Sequence, residues 1–397
     1  MNARTLAIVA VVTLAALAAA IGLNHTRKPA TELRSEPLVP GLKDEVNAIS
    51  KLSLIGAGNA PLVVLERKDA GWVVANRDGY PADSGKLREF VLKLADATVL
   101  EPKTASQDRY PAIGVEDVAA ADAKGVRVEI DGPKTPVRLI VGTFNGAGGG
   151  GTFVRRADEA QSFLASGTLT PEKNPTEWLS RDLVDVPAAQ IAEVTIEKAG
   201  KTLRVFKQDA AEENFRIADL PKGREASSPA AANPLASGLA GLRIDGARPA
   251  SAAAAPASAV KARYAAFDGR VVEVTAWQAD GKHYAQFAAS LDEARADAHA
   301  EAAQAQAKAA QPAPADAAAA EGQPAADAER AAGDSAAAAA DAAPDRAARL
   351  AAVRTEVEAL QRRFAGWAFE IPAHKYASFD KSIDDLLKPA DAKPAKK

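Results

Sequence analysis

The residues able to do chemistry in this chain are few and scattered. Gly146-Ala-Gly-Gly-Gly-Gly151 satisfies G-x-G-x-x-G, the loop that carries a dinucleotide's phosphates to a helix N-terminus. That use requires a helix after the loop, and Thr152-Phe-Val-Arg155 reads as a strand, so the glycines are read as a strand connection. Gly200-Lys-Thr202 resembles the end of a P-loop but lacks the glycine five positions earlier and falls in a predicted hairpin turn. Four histidines, His25, His283, His299 and His374, show no ligand spacing, and without cysteine a zinc site would need distant carboxylates. No G-x-S-x-G elbow is present. Asp384-Asp385 could suggest paired acids, but neighbouring helix positions do not face one another, and a solvated helix start fits better. Trp72, Trp178, Trp277 and Trp367 could form a sugar platform; three of them, Trp72, Trp277 and Trp367, occupy strand positions expected to face a core. The residues thus assign no catalytic, cofactor-binding or metal site, and no cofactor.

The elements that must position anything functional begin with residues 6–23, eighteen residues without a charge. At about 1.5 Å per residue they span roughly 27 Å, close to the hydrocarbon thickness of a bilayer. Ala16-Leu-Ala18 and Ala18-Ala-Ala20 also satisfy the small-residue rule for signal cleavage, but the apolar run exceeds a usual signal core. The segment reads as a retained single-pass inner-membrane anchor with the bulk of the chain periplasmic. With His25, Arg27 and Lys28 after it and Arg4 before it, charge alone does not set the orientation. The absence of cysteine removes both a disulfide framework and a lipidated cysteine, as a bacterial envelope protein tolerates.

The chain has 397 residues and a net charge of −3, room for two ordinary domains and no electrostatic footprint for nucleic acid. Hydrophobic residues make up 47%, but alanine inflates that figure and aromatics are only 5%, so real cores are expected in some stretches and not others.

The pattern predicts an α+β protein of two tandem similar domains, each of mostly antiparallel strands with short helices. Residues 48–55, 62–67 and 72–75 read as strands, followed by a helix over 84–97 with Ser84 as N-cap and Leu87, Phe90, Val91 and Leu94 on one face. The same order returns at 191–196, 202–206 and 215–217, then a helix at about 233–241 with Leu235 and Leu239 inward. The offset is about 143 residues throughout. In the second halves, the hairpin 125–130 and 137–141 is matched with 270–277 and 283–287, and 152–155 with 367–371. Each copy is expected to close on a short helix, Phe163 to Leu169 and Tyr376 to Leu387. The predicted boundaries are 1–28 for the anchor, 29–44 for a linker, 45–187 for the first domain, and 188–290 with 362–390 for the second. The remainder is an insert at 291–361 and a disordered tail at 391–397.

The insert is alanine-rich. Residues 289–310 favour helix but carry almost no large apolar side chains, and Pro312, Pro314, Pro324 and Pro344 break the stretch 311–345. From 346 the pattern sharpens: Leu350, Val353, Val357, Leu360 and Phe364 alternate at three and four, a short coiled-coil seam. Two readings stand side by side: a tolerated low-complexity expansion, or two helical arms whose seam binds a partner.

The order of features resembles the bacterial domain-of-unknown-function family 4340. The likeness rests on the membrane helix, "GW.V", "Y.AD..K", Tyr110-Pro-Ala-Ile-Gly114 in place of "YGL", "VRL.VG", "G.FVR" and Trp178-Leu-Ser-Arg-Asp-Leu183. It covers most of residues 45–290 and resumes at 365–390. The resemblance implies an accessory role beside ABC-type transporters of the gliding-motility kind, with a permease or related envelope protein as partner, and carries over no catalytic residues. Expected functions are therefore a non-enzymatic membrane-anchored scaffold, a polysaccharide- or peptidoglycan-binding module, or an enzyme whose dispersed site the sequence hides. The oligomeric state is not legible.

Overall fold

A computed structural model of the chain describes residues 36–147, 150–310 and 346–389. The expected anchor at 6–23, His25, the centre of the insert and the tail at 391–397 lie outside the described residues. Among the described residues no helix is long and apolar enough to cross a membrane. The architecture is α+β, with mostly antiparallel sheets and few helices, in two compact units, Met1–Leu179 and Ser180–Lys397.

The first unit is built on a ten-stranded sheet. Its strands are β1 (Glu36–Pro37), β2 (Lys51–Ile55), β3 (Pro61–Lys68), β4 (Gly71–Val74), β5 (Tyr80–Pro81), β6 (Thr98–Pro102), β7 (Val126–Asp131), β8 (Val137–Asn145), β9 (Gly151–Arg156) and β10 (Ser162–Ala165). They lie in the order β1-β6-β10-β9-β8-β7-β2-β3-β4-β5. Alternation sets the register: Leu52 pairs with Leu65 on one side and Ile130 on the other, and all three are buried. The outward residues of β7 pair by charge, with Arg127 Nε 2.8 Å from Glu129 Oε1.

Among the described residues of this unit the longest helix is α1 (Ser84–Asp96). Its N-cap is Asp83, one residue before the predicted Ser84, because the Asp83 carboxylate accepts the Lys86 backbone N–H at 2.9 Å. Leu87, Phe90, Val91 and Leu94 face inward as predicted. Ala97 is extended and the β-branched Thr98 and Val99 enter β6, which ends the helix. The Trp178 indole lies edge-on to Phe90 at 5.8 Å, and its Nε1 donates to Glu172 O at 2.8 Å. Trp178 is 1% exposed, so the indole is satisfied without water.

In the second unit β11 (Asp182–Val184) pairs with β15 (Leu242–Arg243). The main sheet holds β12 (Ile191–Lys198), β13 (Lys201–Phe206), β14 (Arg216–Ile217), β16 (Gly246–Pro249), β17 (Val260–Ala266), β18 (Arg270–Ala279), β19 (Lys282–Leu291) and β20 (Trp367–Glu370). Their order is β14-β13-β12-β17-β18-β19-β20-β16. Helices α2 (Glu293–Ala310) and α3 (Arg346–Phe364) stand between β19 and β20 in sequence, and α4 (Ala373–Phe379) follows β20. Tyr264 and Phe379 meet edge-on at 5.9 Å in the core. The Tyr264 hydroxyl donates to Leu235 O at 3.1 Å, and burial pushes this phenol's pKa up. The predicted helix at 233–241 is a single α-turn, Asn233–Ala236, continued as a tighter turn through Leu239, with Leu235 and Leu239 buried.

Two expectations need correction. No helix closes the first unit: Ser162–Ala165 is β10, paired with β9 and β6. The stretch 260–266, to which the pattern assigns no element, is a strand, β17. It pairs with β12 on one side and β18 on the other.

Two outcomes follow. Trp178→Ala removes a fully buried ring and should cost about 3–5 kcal/mol of unfolding free energy, read from urea midpoints. The Glu193 carboxyl is held below its ordinary pKa by the hydrogen bond from Arg204, 2.8 Å away. A lowered folded value gives stability that is full above the ordinary carboxylate pKa and is lost as pH falls through the lowered one. Between about pH 5 and about pH 3, Glu193→Gln should therefore lose less of its urea midpoint than the natural chain does.

Candidate partner-binding site

The seam singled out in the sequence lies on α3, and its surroundings grow from the end of β19. Asp292 closes that strand with its N–H on Gly269 O at 2.8 Å, and its carboxylate then accepts the Arg295 N–H at 3.1 Å, starting α2. The alanines of α2 have high helix propensity but little to bury. Ala296 and Ala300 are buried, each 2% exposed. Helix α3 runs back beside α2: Arg346 forks onto Asp297 and Arg354 reaches Glu293 at 2.8 Å, so the two helices are antiparallel. These pairs are about half exposed, so solvent screens them and they set register more than stability.

The five seam residues do not share one environment. Val357, Leu360 and Phe364 are buried, whereas Leu350 and Val353 are half-buried. The buried part packs onto its own sheet. Phe364 lies 5.4 Å from Phe287 of β19, Gln361 Nε2 donates to Ala289 O at 3.0 Å, and Arg363 Nη1 donates to Leu183 O at 2.8 Å. Arg270 adds an ion pair to Glu356 at 2.9 Å. The helical pair is thus an arm with a base fixed in the core and an outer part carrying the half-buried Leu350 and Val353. Residues 311–345, which join the two helices, lie outside the described residues.

The other residues of chemical interest are dispersed. The glycine loop joins strands β8 and β9, and a Cβ on Gly151 would stand 2.7 Å from Ala165 O, so close strand approach requires that glycine. Gly200-Lys-Thr202 sits at the β12–β13 turn, where Gly200 has φ +76°. His283 packs against Tyr376 at 4.7 Å, while His299 is on α2 and His374 on α4. Among the described residues no three His, Asp or Glu are placed to hold a metal. Asp385 caps a short turn, accepting both the N–H and the hydroxyl of Ser382 at 2.8 Å, and these bonds hold its carboxyl below the usual range. Trp277 is buried and stacks with Tyr284 at 5.9 Å. Trp72 and Trp367 are half-buried, on the same strand faces as the fully buried Val74 and Phe369.

Pattern reading missed a cavity of about 550 Å3 in the first unit, bordered by Tyr110, Glu116 and Arg155. Arg155 is 6% exposed. Its guanidinium donates to Val115 O, Ala157 O and Glu159 O at 2.9–3.1 Å and lies 4.8 Å from the Tyr110 ring centre. The guanidinium therefore ties a loop together. Strand alternation could not announce a buried arginine.

The chain is thus an α+β protein of two antiparallel-sheet units, the second bearing a helical arm. Residues 72–262 match the family described as Domain of unknown function (DUF4340), bearing out the resemblance in the motifs. No curated protein and no solved structure matches the chain.

The division of the seam predicts unequal effects. Phe364→Ala should cost about 3–5 kcal/mol in urea unfolding. Leu350→Ala, on the half-buried outer part, should change stability by about 1 kcal/mol or less.

Proposed function

We propose that this protein is a non-enzymatic, membrane-anchored envelope accessory that works by holding a partner protein. In this reading the anchor is residues 6–23, the bulk of the chain lies in the periplasm of a bacterial cell, and the partner belongs to an ABC-type transport or gliding-motility-like system. The observation that carries the reading is the arm, fixed at its base by Phe364, Gln361 and Arg363 and leaving Leu350 and Val353 half-buried farther out. A low-complexity expansion under no constraint has no reason to place aromatic, amide and guanidinium contacts at its root. A fixed arm loses little conformational freedom when a partner helix packs on it, which favours association.

The two units are further read as tandem copies of one plan. Supporting this, β6-β10-β9-β8-β7-β2-β3-β4 and β16-β20-β19-β18-β17-β12-β13-β14 agree strand by strand in chain order. The arm is then an addition to the second copy, between the strands corresponding to β9 and β10. An element added to one copy alone fits a task that the shared framework does not perform.

The test is purification of the full chain from detergent-extracted membranes, with identification of co-purifying proteins. A transporter permease should be recovered with the natural chain and lost with Leu350→Glu/Val353→Glu, whose far-ultraviolet circular dichroism should match the natural protein. Repeated recovery of the chain alone, or undiminished recovery of the permease with the double variant, would overturn the proposal.

A further inference from the structure

A second surface, on the first unit, has the composition of a peptide-docking groove. A cleft of about 330 Å3 lies between α1 and the β3–β4 hairpin, with Leu87 and Val91 among its buried lining. Arg67 and Trp72 stand on one side, directly opposite each other in the antiparallel register. Arg88 and Leu92, one helical turn apart on α1, stand on the other.

The groove exists because the inner face of the hairpin outruns its cover. Leu65 and Val74, on the same face as Arg67 and Trp72, are completely buried. One pair further along, the sheet emerges: Arg67 is exposed and Trp72 half-buried. Leu92, at 38% exposed, is among the few large apolar side chains on the surface.

The charges are one-sided. No carboxylate lines the cleft. The Arg67 guanidinium gives one bond, from Nη1 to Asn47 O at 2.9 Å, and neither Arg67 nor Arg88 has an ion-pair partner within 4 Å among the described residues. Two guanidiniums flank an apolar floor with an indole at the edge. Tryptophan and arginine around a desolvated pocket are the residue types that dominate binding energy at protein interfaces.

We propose that this groove docks an acidic, aliphatic segment of a partner protein. An aliphatic side chain of the segment sits on Leu87 and Val91 against the Trp72 ring, and neighbouring Asp or Glu carboxylates receive the guanidiniums of Arg67 and Arg88. The inference rests on the partner-holding reading for the existence of a protein partner, but it involves neither the arm nor a permease. A concave site with a half-buried indole at its edge and two cations fits a segment of chain better than a flat anionic bilayer. A bilayer would call for protruding apolar groups and many basic ones.

The test places a photo-crosslinking benzoylphenylalanine at Leu92 in the full chain, in native membranes, and sequences what is captured. A protein segment rich in Leu, Ile or Val beside Asp or Glu is the expected adduct. Its yield should fall roughly tenfold in Arg67→Glu/Arg88→Glu. Trp72→Phe, which keeps an aromatic ring but a smaller one, should reduce the yield less than the charge reversal does. Circular dichroism checks that both variants fold. Capture of a basic segment, a lipid adduct, no adduct, or capture unaffected by charge reversal would overturn the assignment. An acidic segment captured from a protein other than a permease would sustain the groove while counting against transporter association; a permease held by the arm with nothing in the groove would do the reverse.

Discussion

The second unit depends on a cluster of four phenylalanines. Phe287 of β19 meets Phe364 at 5.4 Å, Phe369 of β20 at 5.9 Å and Phe379 of α4 at 6.4 Å. Phe369 and Phe379 are completely buried. These contacts bring together chain segments on either side of a long insertion, so they close a large loop and must outweigh its entropy. Because closure entropy grows only slowly with length, the insert costs little once the rings are packed. The cluster is the reason an alanine-rich expansion can sit between two neighbouring strands without unmaking the sheet.

The same cluster gives the arm its character. An isolated alanine-rich helix pair with few large apolar residues would be marginal in water. Here α3 enters the core through Val357, Leu360 and Phe364, and α2 follows it through Ala296 and Ala300. Rigidity therefore runs outward from the sheet, and Arg346–Asp297 and Arg354–Glu293 fix the helices' register. The groove of the first unit has a comparable origin. In both places the fold makes more apolar surface than it covers, beside charged residues that keep that surface solvated.

Much of this was legible in the residues, for physical reasons that also explain the failures. Strong alternation, as in Leu52 and Leu54 or Val126, Val128 and Ile130, announced its strands, and the three-four spacing of Leu87, Phe90, Val91 and Leu94 announced α1. Strand β17 escaped because its inward residues include Ala262 and Ala266, whose burial leaves little hydrophobic contrast. At 163–169 the pattern predicts a helix instead of β10, because the strand is short and Phe163 and Leu164 do not alternate with polar residues. The seam was correctly placed on a helix, but periodicity cannot say what a stripe packs against, and three of its five residues face the chain's own sheet. Trp72 was assigned to the core by its position in the strand. How far α1 extends over the hairpin is a tertiary fact that no local pattern contains.

The central claim is that the arm is divided, with its base part of the core and its outer part on offer to a partner. Hydrogen exchange across α3 of the full chain measures this most directly. Amides of residues 357–364 should exchange as slowly as those of β18 and β19, while residues 346–353 exchange faster and become protected when the partner is bound. Uniformly fast exchange along the whole helix would contradict the account, as would an outer part already protected as strongly as the sheet in the absence of any partner.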